Sequence, residues 1–258
     1  MRAHIVLAHP EPQSFNAHLA DEARAALAAL GWQVTLTDLY ACGFDPREGP
    51  EHYRERADAA RFDAQREQRH AGEAGALPAF VAEELERLDA ADLLILQYPM
   101  WWHMPPAILK GWFDRVFAYG PAYTARRRFE TGRFANKRAL LCVTVGTSRA
   151  TYEHNGRSGD ISLMLWPVEF TLAYVGYQIL APFVAYGVEG GLRYSDGGEI
   201  EARLRSIVEE LRGDLSHLDA RARVFFNRMD EWGPDGRMRP DAPVYSPYIR
   251  RRRDLDLG

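Results

Sequence analysis

Three short stretches of the chain are apolar almost without interruption: His4–Ala8, Leu93–Tyr98 and Ala139–Val145. A strand with one wet face alternates in polarity, so a run with no polar side needs cover on both faces. Strands of that kind belong to parallel sheets with helices packed above and below. A fourth run, Val34–Leu36 within Gln33–Leu39, is shorter. Between the first and fourth lie Leu19, Ala23, Ala26, Leu27 and Leu30, at helical spacing, with Gly31 where a helix would stop. Strand, helix and strand in quick succession make a βαβ unit and predict an open α/β fold.

The rest of the chain extends that pattern. Helices are predicted from Pro78 through Leu88, from Ala107 to Phe117 and over Leu163–Tyr174, with a fifth strand at Gln178–Tyr186. A last amphipathic helix runs from Glu199 to Leu211, with Gly213 just past its end. The charged stretch from Arg47 to Gly75 reads as a surface excursion with some helix. Periodicity is lost after Ser216, which divides the chain into an α/β domain over 1–215 and an extended segment over 216–258 that would pack on a partner subunit. With 47% hydrophobic and 26% charged residues, 258 in all, the chain can bury its own core and is neither disordered nor collagen-like.

A net charge of −4 argues against nucleic acid as a partner, although all but two of the 32 basic residues, Lys110 and Lys137, are arginine. The isolated Cys42 and Cys142 are expected to be buried thiols in a reducing compartment. No run approaches the length of a membrane span, and residues 3–8 are too few for a signal core, so a cytoplasmic location without membrane insertion is expected.

In such a sheet, ligands bind beyond the carboxyl ends of the strands, which selects three loops. Ala8–Asn16 lacks the glycine fingerprint of dinucleotide folds. Instead, Ser14 and Asn16 can cap the first helix, whose amides together with His9 can hold a phosphate. Gln97–Pro106 carries Tyr98, Met100, Trp101, Trp102 and Met104, the flat apolar surface that a planar ligand needs; burial against a neighbouring subunit is the plainer reading. The loop from Thr144 through Tyr152 and His154 to Asp160 offers backbone amides, hydroxyls and Gly146 to the polar edge of a heteroaromatic ring. Together the three describe a flavin site, and no metal site is read.

The motifs A-H-P-E-x-x-S-F-N (Ala8–Asn16), Q-x-P-x-x-W (Gln97–Trp102) and P-A-I-L-K-G-W-F-x-R-V (Pro106–Val116), with the G-D…L-W-P run (Gly159–Pro167), resemble those of the flavodoxin-like NAD(P)H:quinone oxidoreductases, the DT-diaphorase family. The resemblance implies a flavodoxin-like open parallel five-stranded sheet and a homodimer with a flavin at the interface, FAD by preference and FMN as the other option. It implies hydride transfer from NAD(P)H to the flavin, then two-electron reduction of a quinone in the same pocket. His9, Ser14, Phe15 and Asn16 match flavin phosphate and ribose contacts. Pro99, Met100, Trp101 and Trp102 match the ring wall, and Thr144, Val145, Gly146 and Thr147 its polar edge.

Tyr123 matches an aromatic lid and Tyr174 an aromatic reaching into the partner's site; with Trp102 they would line the substrate pocket. Tyr152 matches the catalytic tyrosine. Six residues later the family's histidine is replaced by Ser158, with His154 or Arg157 as substitutes, and Ala125 stands where a second lid tyrosine is expected. Arg203 is a candidate for an adenine contact, and Arg126–Arg128 for attracting NAD(P)H phosphates at the pocket mouth. Asp114 and Arg115 are expected to form an ion pair, Trp166 to be core, and Asp38 to be a cap or turn residue. An ancillary subunit of a potassium-efflux transporter is the alternative within the family, and a one-electron carrier a third reading.

Overall fold

The computed structural model describes residues 1–189 and 197–250. The three continuous apolar runs are its three central strands: β1 (Arg2–Leu7), β3 (Leu93–Pro99) and β4 (Arg138–Thr144). The run with a broken pattern, β2 (Gln33–Asp38), is the edge strand beside β1 and is exposed on one side. All pair in parallel, in the order β2-β1-β3-β4, with β5 (Gln178–Leu180) parallel beyond β4. The order turns back at β1 and β3, so their loops flank the crevice where such sheets hold ligands.

Side chains alternate to feed two cores. Ile5, Leu7, Ile95 and Cys142 face α1 (Phe15–Ala29) and α6 (Gly197–Ser216). Val6, Leu96, Tyr98, Leu141 and Val143 face α3 (Ala79–Ala90), α4 (Ala107–Val116) and α5 (Ile161–Tyr174). Burial pushes the Cys142 thiol up to about 12, so it is inert.

Several expectations change. Cys42 is exposed. The fifth strand is two pieces, β5 (Gln178–Leu180) and β6 (Phe183–Ala185), both parallel to β4. Pro182 stands between them, a residue with no amide for the ladder. Strand β7 (Arg223–Val224) adds antiparallel to β5, so the sheet has seven segments where five were expected. Helix α6 does not stop before Gly213 but continues to Ser216. Glycine in a helix costs about 1 kcal/mol; here Leu211 and Leu215 are buried on either side of it, and Arg212 pairs with Glu22 of α1.

Asp114 and Arg115 do not pair with each other. Asp114 takes Lys110, one turn earlier, while Arg115 donates to the Asp45 carbonyl and approaches Glu48. Asp38 accepts from the amides of Tyr40 and Ala41, as a turn residue should. The charged excursion contains α2 (Ala64–Glu73), whose Gln68 is buried; it donates to the Asp114 carbonyl and accepts from the Tyr119 amide. Trp166 is half-buried rather than core: it stacks on Phe170 at 4.9 Å and meets Phe226 and Tyr248 of the segment after α6.

Two carboxylates lie inside the second core. Glu84 on α3 is fully buried and accepts four hydrogen bonds, two on each oxygen. Trp112 and His4 reach Oε1 at 3.0 and 3.1 Å; Thr37 and Arg87 reach Oε2 at 2.9 Å each. Burial alone would push its carboxyl up, but these donors hold it below its ordinary value. Glu169 on α5 is 4% exposed, and burial pushes it up to about 7.

Candidate active site

The loops that follow β1, β3 and β4 converge at the carboxyl edge of the sheet. In the first, Ser14 caps α1, its Oγ accepting from the Ala17 amide at 3.1 Å. That oxygen is then committed as an acceptor and its proton is left to donate outward. The Glu11 amide donates to His9 Nδ1 at 3.0 Å, which leaves Nε2 as the ring's donor. The His9 ring meets Trp101 edge-on at 5.9 Å, so the first two loops touch.

Asn16 is not a cap. It is buried, accepts from Gln97 Nε2 at 2.9 Å and donates to Thr144 Oγ1 at 2.9 Å, spanning all three strand ends. Phe15, beside it, is half-exposed at the helix start.

The second loop is a two-residue hairpin. Trp101 and Met104 exchange backbone bonds at 2.9 and 3.0 Å, and Trp102 and His103 take φ of +51° and +63°. Positive φ at both central positions fits the twist of a tight hairpin but is costly for residues other than glycine. The strain presents Trp102 at 94% exposure, with Trp101 and Met104 also open. Pro99 ends the strand, and the Met100 amide donates to the Thr144 carbonyl at 3.0 Å.

The third loop is welded to the chain after β6. Val145 donates to Ala185, Gly187 to Thr147, and Val188 to Val145. The amides of Gly146 and Thr147 have no acceptor among the described residues. A Cβ on Gly146 would come no closer than 3.8 Å to the chain, so a glycine here leaves a face open rather than relieving a clash. Gly156 is the opposite case: a Cβ there would collide with the Thr151 carbonyl, and its absence lets the loop fold back so that Ser158 N bonds Thr151 O at 2.9 Å. Tyr152 closes a 3₁₀ turn and lies 6.1 Å from the Tyr186 ring, over which the Arg149 guanidinium sits at 4.7 Å. His154 and Arg157 are exposed in the same loop.

Tyr123 and Tyr174 come together elsewhere, rings 5.5 Å apart, in an aromatic patch with Tyr119 and Phe129. With Lys110, Phe113 and Phe170 they line a cavity of about 410 Å³ that includes none of the three loops. Trp102 is not part of it. The arginine run beside this patch is mostly engaged: Arg127 holds the Gly120 and Pro121 carbonyls, and Arg128 donates to the Tyr174 hydroxyl at 3.1 Å. Arg203, read as an adenine contact, donates to the Gly187 carbonyl and pairs with Glu189. The residues that sequence reasoning passed over are Gln97, quoted only as a motif letter, and Tyr186, which positions Tyr152 and Arg149 from the far side.

A family model described as a flavodoxin-like fold matches residues 1–210. The NAD(P)H dehydrogenase [quinone] 1 of Cavia porcellus is 40% identical over 198 residues, covering 72% of this chain and 69% of its own length. The human ribosyldihydronicotinamide dehydrogenase [quinone] is 35% identical over 211 residues, 80% of this chain and 91% of its own. A crystal structure of a putative quinone reductase from Klebsiella pneumoniae superposes with a TM-score of 0.82 at 30% identity, over 93% of this chain and 94% of that one. The chain belongs to the flavodoxin-like family that includes the NAD(P)H:quinone dehydrogenases.

Proposed function

We propose that this protein is a flavin-dependent NAD(P)H oxidoreductase that reduces a quinone by two electrons. The observation that carries the reading is the convergence, at one sheet edge, of a Ser14-capped helix start, an exposed tryptophan hairpin and a glycine cradle whose amides lack acceptors among the described residues. These fit a flavin end to end: phosphate on the amides of α1, ring against Trp101 and Trp102, polar ring edge on Gly146 and Thr147. Bound there, a flavin supplies the hydride acceptor and donor chemistry. Ser14 and His9 Nε2 orient the phosphate and ribose end with Phe15 and Asn16. Pro99, Met100 and the tryptophans exclude water from one side. Tyr152 donates a hydrogen bond where negative charge collects on reduction, and His154, two residues on, takes the place of the family histidine at Ser158.

The cofactor is FAD, with FMN distinguished by heat release and chromatography. The protein acts in the cytoplasm as a homodimer. The separation of Tyr123 and Tyr174 from the three loops supports this: a second copy would set its tyrosine patch over the tryptophan hairpin and complete the pocket. The described part of the segment after α6, up to Arg250, packs at that interface, offering exposed Phe225 and Tyr245. The named relatives are quinone dehydrogenases, which gives the transporter-subunit alternative no support. The test is anaerobic mixing of flavin-loaded protein with NADH or NADPH. Bleaching of the flavin band and its return on adding a quinone are expected; an unbleached flavin would sink the reading.

A further inference from the structure

The buried chain Gln97–Asn16–Thr144 has a direction. Gln97 Nε2 donates to Asn16 Oδ1, and Asn16 Nδ2 donates to Thr144 Oγ1, each at 2.9 Å, with all three residues at most 4% exposed. One atom is left over, the Gln97 Oε1 acceptor, which is buried without a partner. Turning both amides over would reverse the chain, but would leave the two protons of the Gln97 amide buried and unpaired. Orphaned buried donors are rarer than orphaned carbonyl oxygens, so the observed direction is the stable one. Its consequence appears at the far end: Thr144 Oγ1 is already an acceptor, so its proton must be donated elsewhere. No other residue among those described accepts it, and Thr144 stands at the mouth of the ring-edge loop.

We propose that Gln97 is a positioning residue which, through Asn16, holds Thr144 as a hydrogen-bond donor to the polar edge of the bound flavin and ties the phosphate loop to the ring-edge loop. The proposal rests on the flavin reading above and adds to it. A donor at the ring edge favours the reduced, electron-rich form over the oxidised one. The chain therefore sets the flavin's potential as well as its affinity.

The test is the two-electron midpoint potential of protein reconstituted with FAD, and separately with FMN, alongside Kd from flavin fluorescence. Gln97→Met leaves Asn16 Oδ1 unpaired and frees Thr144 to turn inward. Loss of about tenfold in the preference for reduced flavin is expected, which lowers a two-electron potential by about 30 mV. Thr144→Val should lower it at least as much, and Thr144→Ser should restore it. The double variant should be no lower than Thr144→Val alone, because both remove the same donor. A wild-type potential in Gln97→Met, or additive shifts in the double variant, would overturn the proposal. Gln97→Asn, whose amide falls short of Asn16, carries the same expectation if the methionine variant folds poorly. Wild-type protein that takes up neither flavin would instead refute the flavin reading itself, a result distinct from a bound flavin with an unchanged potential.

Discussion

Glu84 and Glu169 are both buried acids on helices packed against the same face of the sheet, yet they hold opposite charge states. Glu84 has two donors on each oxygen and stays ionised; Glu169 makes no hydrogen bond among the described residues and keeps its proton up to about pH 7. Burial is common to both, so it is the donors that decide. The two regions also serve the site differently. Glu84 ties β1, β2, α3 and α4 together, α4 being the helix into which the hairpin loop leads. Glu169 sits five residues before Tyr174, under the segment that brings Tyr248 against Trp166. One region is locked at neutral pH and the other carries a latent charge.

The largest effect should come from removing the locked acid. Glu84→Ala leaves the Trp112 indole N–H, the Thr37 hydroxyl and the His4 ring without their buried acceptor, while the part-exposed Arg87 keeps Glu83; it should cost about 3–5 kcal/mol in urea unfolding at pH 7. A loss below about 1 kcal/mol would mean that these donors find water instead. The stability that Glu84 adds is present above the ordinary carboxylate range and is lost as pH falls through its lowered value.

Glu169 works in the other direction. Unfolded, its carboxyl titrates at the ordinary 4.5; folded, at about 7. Between those values the unfolded chain gives up a proton that the folded one keeps, so stability falls as pH rises. The accumulated loss is on the order of 3 kcal/mol above pH 7. Glu169→Gln should remove that slope and leave the variant more stable than the parent at pH 8, with little difference at pH 4. Parallel stability curves for parent and variant across this window would show that Glu169 ionises freely in the fold.

The same contrast explains what could be read from the chain beforehand. Continuous apolar runs announce doubly covered strands, so β1, β3 and β4, and the loops that follow them, were legible. The Gln178–Tyr186 run carried its own interruption in Pro182, and Gly213 misled because local helix preference was overridden by packing on α1. The partners of Glu84 come from four separate elements, and no local pattern joins His4 to Thr37, Arg87 and Trp112. Trp112 could be quoted as a letter in a long motif without its purpose, which is to donate to Glu84. Glu169 did leave a signal: it is the one acid in the apolar helix Ile161–Tyr174. Asn16 looked like a cap because it sits at a helix start, whereas its partners Gln97 and Thr144 lie 81 and 128 residues away.

A smaller change sharpens the first result. Trp112→Phe removes one of Glu84's four donors and keeps most of the ring. It should cost about 1–2 kcal/mol, well short of the loss from removing the acid, because three donors still hold the charge. An equal loss would show that the indole packing, rather than the carboxylate, holds α4.

The rule that partners decide also sorts the arginine run beside the tyrosine patch. Arg127 is spent on two backbone carbonyls and Arg128 on the Tyr174 hydroxyl and ring, so substituting either would disturb the patch itself. Arg126 is exposed and among the described residues bonds through its backbone alone, its amide donating to Thr124 Oγ1 at 3.3 Å and its carbonyl accepting from Thr131 Oγ1 at 3.1 Å, which leaves the side chain's charge to solvent. An exposed charge acts at range and is screened within about 10 Å at 0.1 M salt. Arg126→Gln should therefore raise the KM for NADPH by about two- to threefold at low ionic strength, with kcat unchanged, and the difference should vanish in high salt. A KM increase that persists in high salt would mean that Arg126 touches the nucleotide directly, and an unchanged KM at low salt would leave its charge without a role in steering.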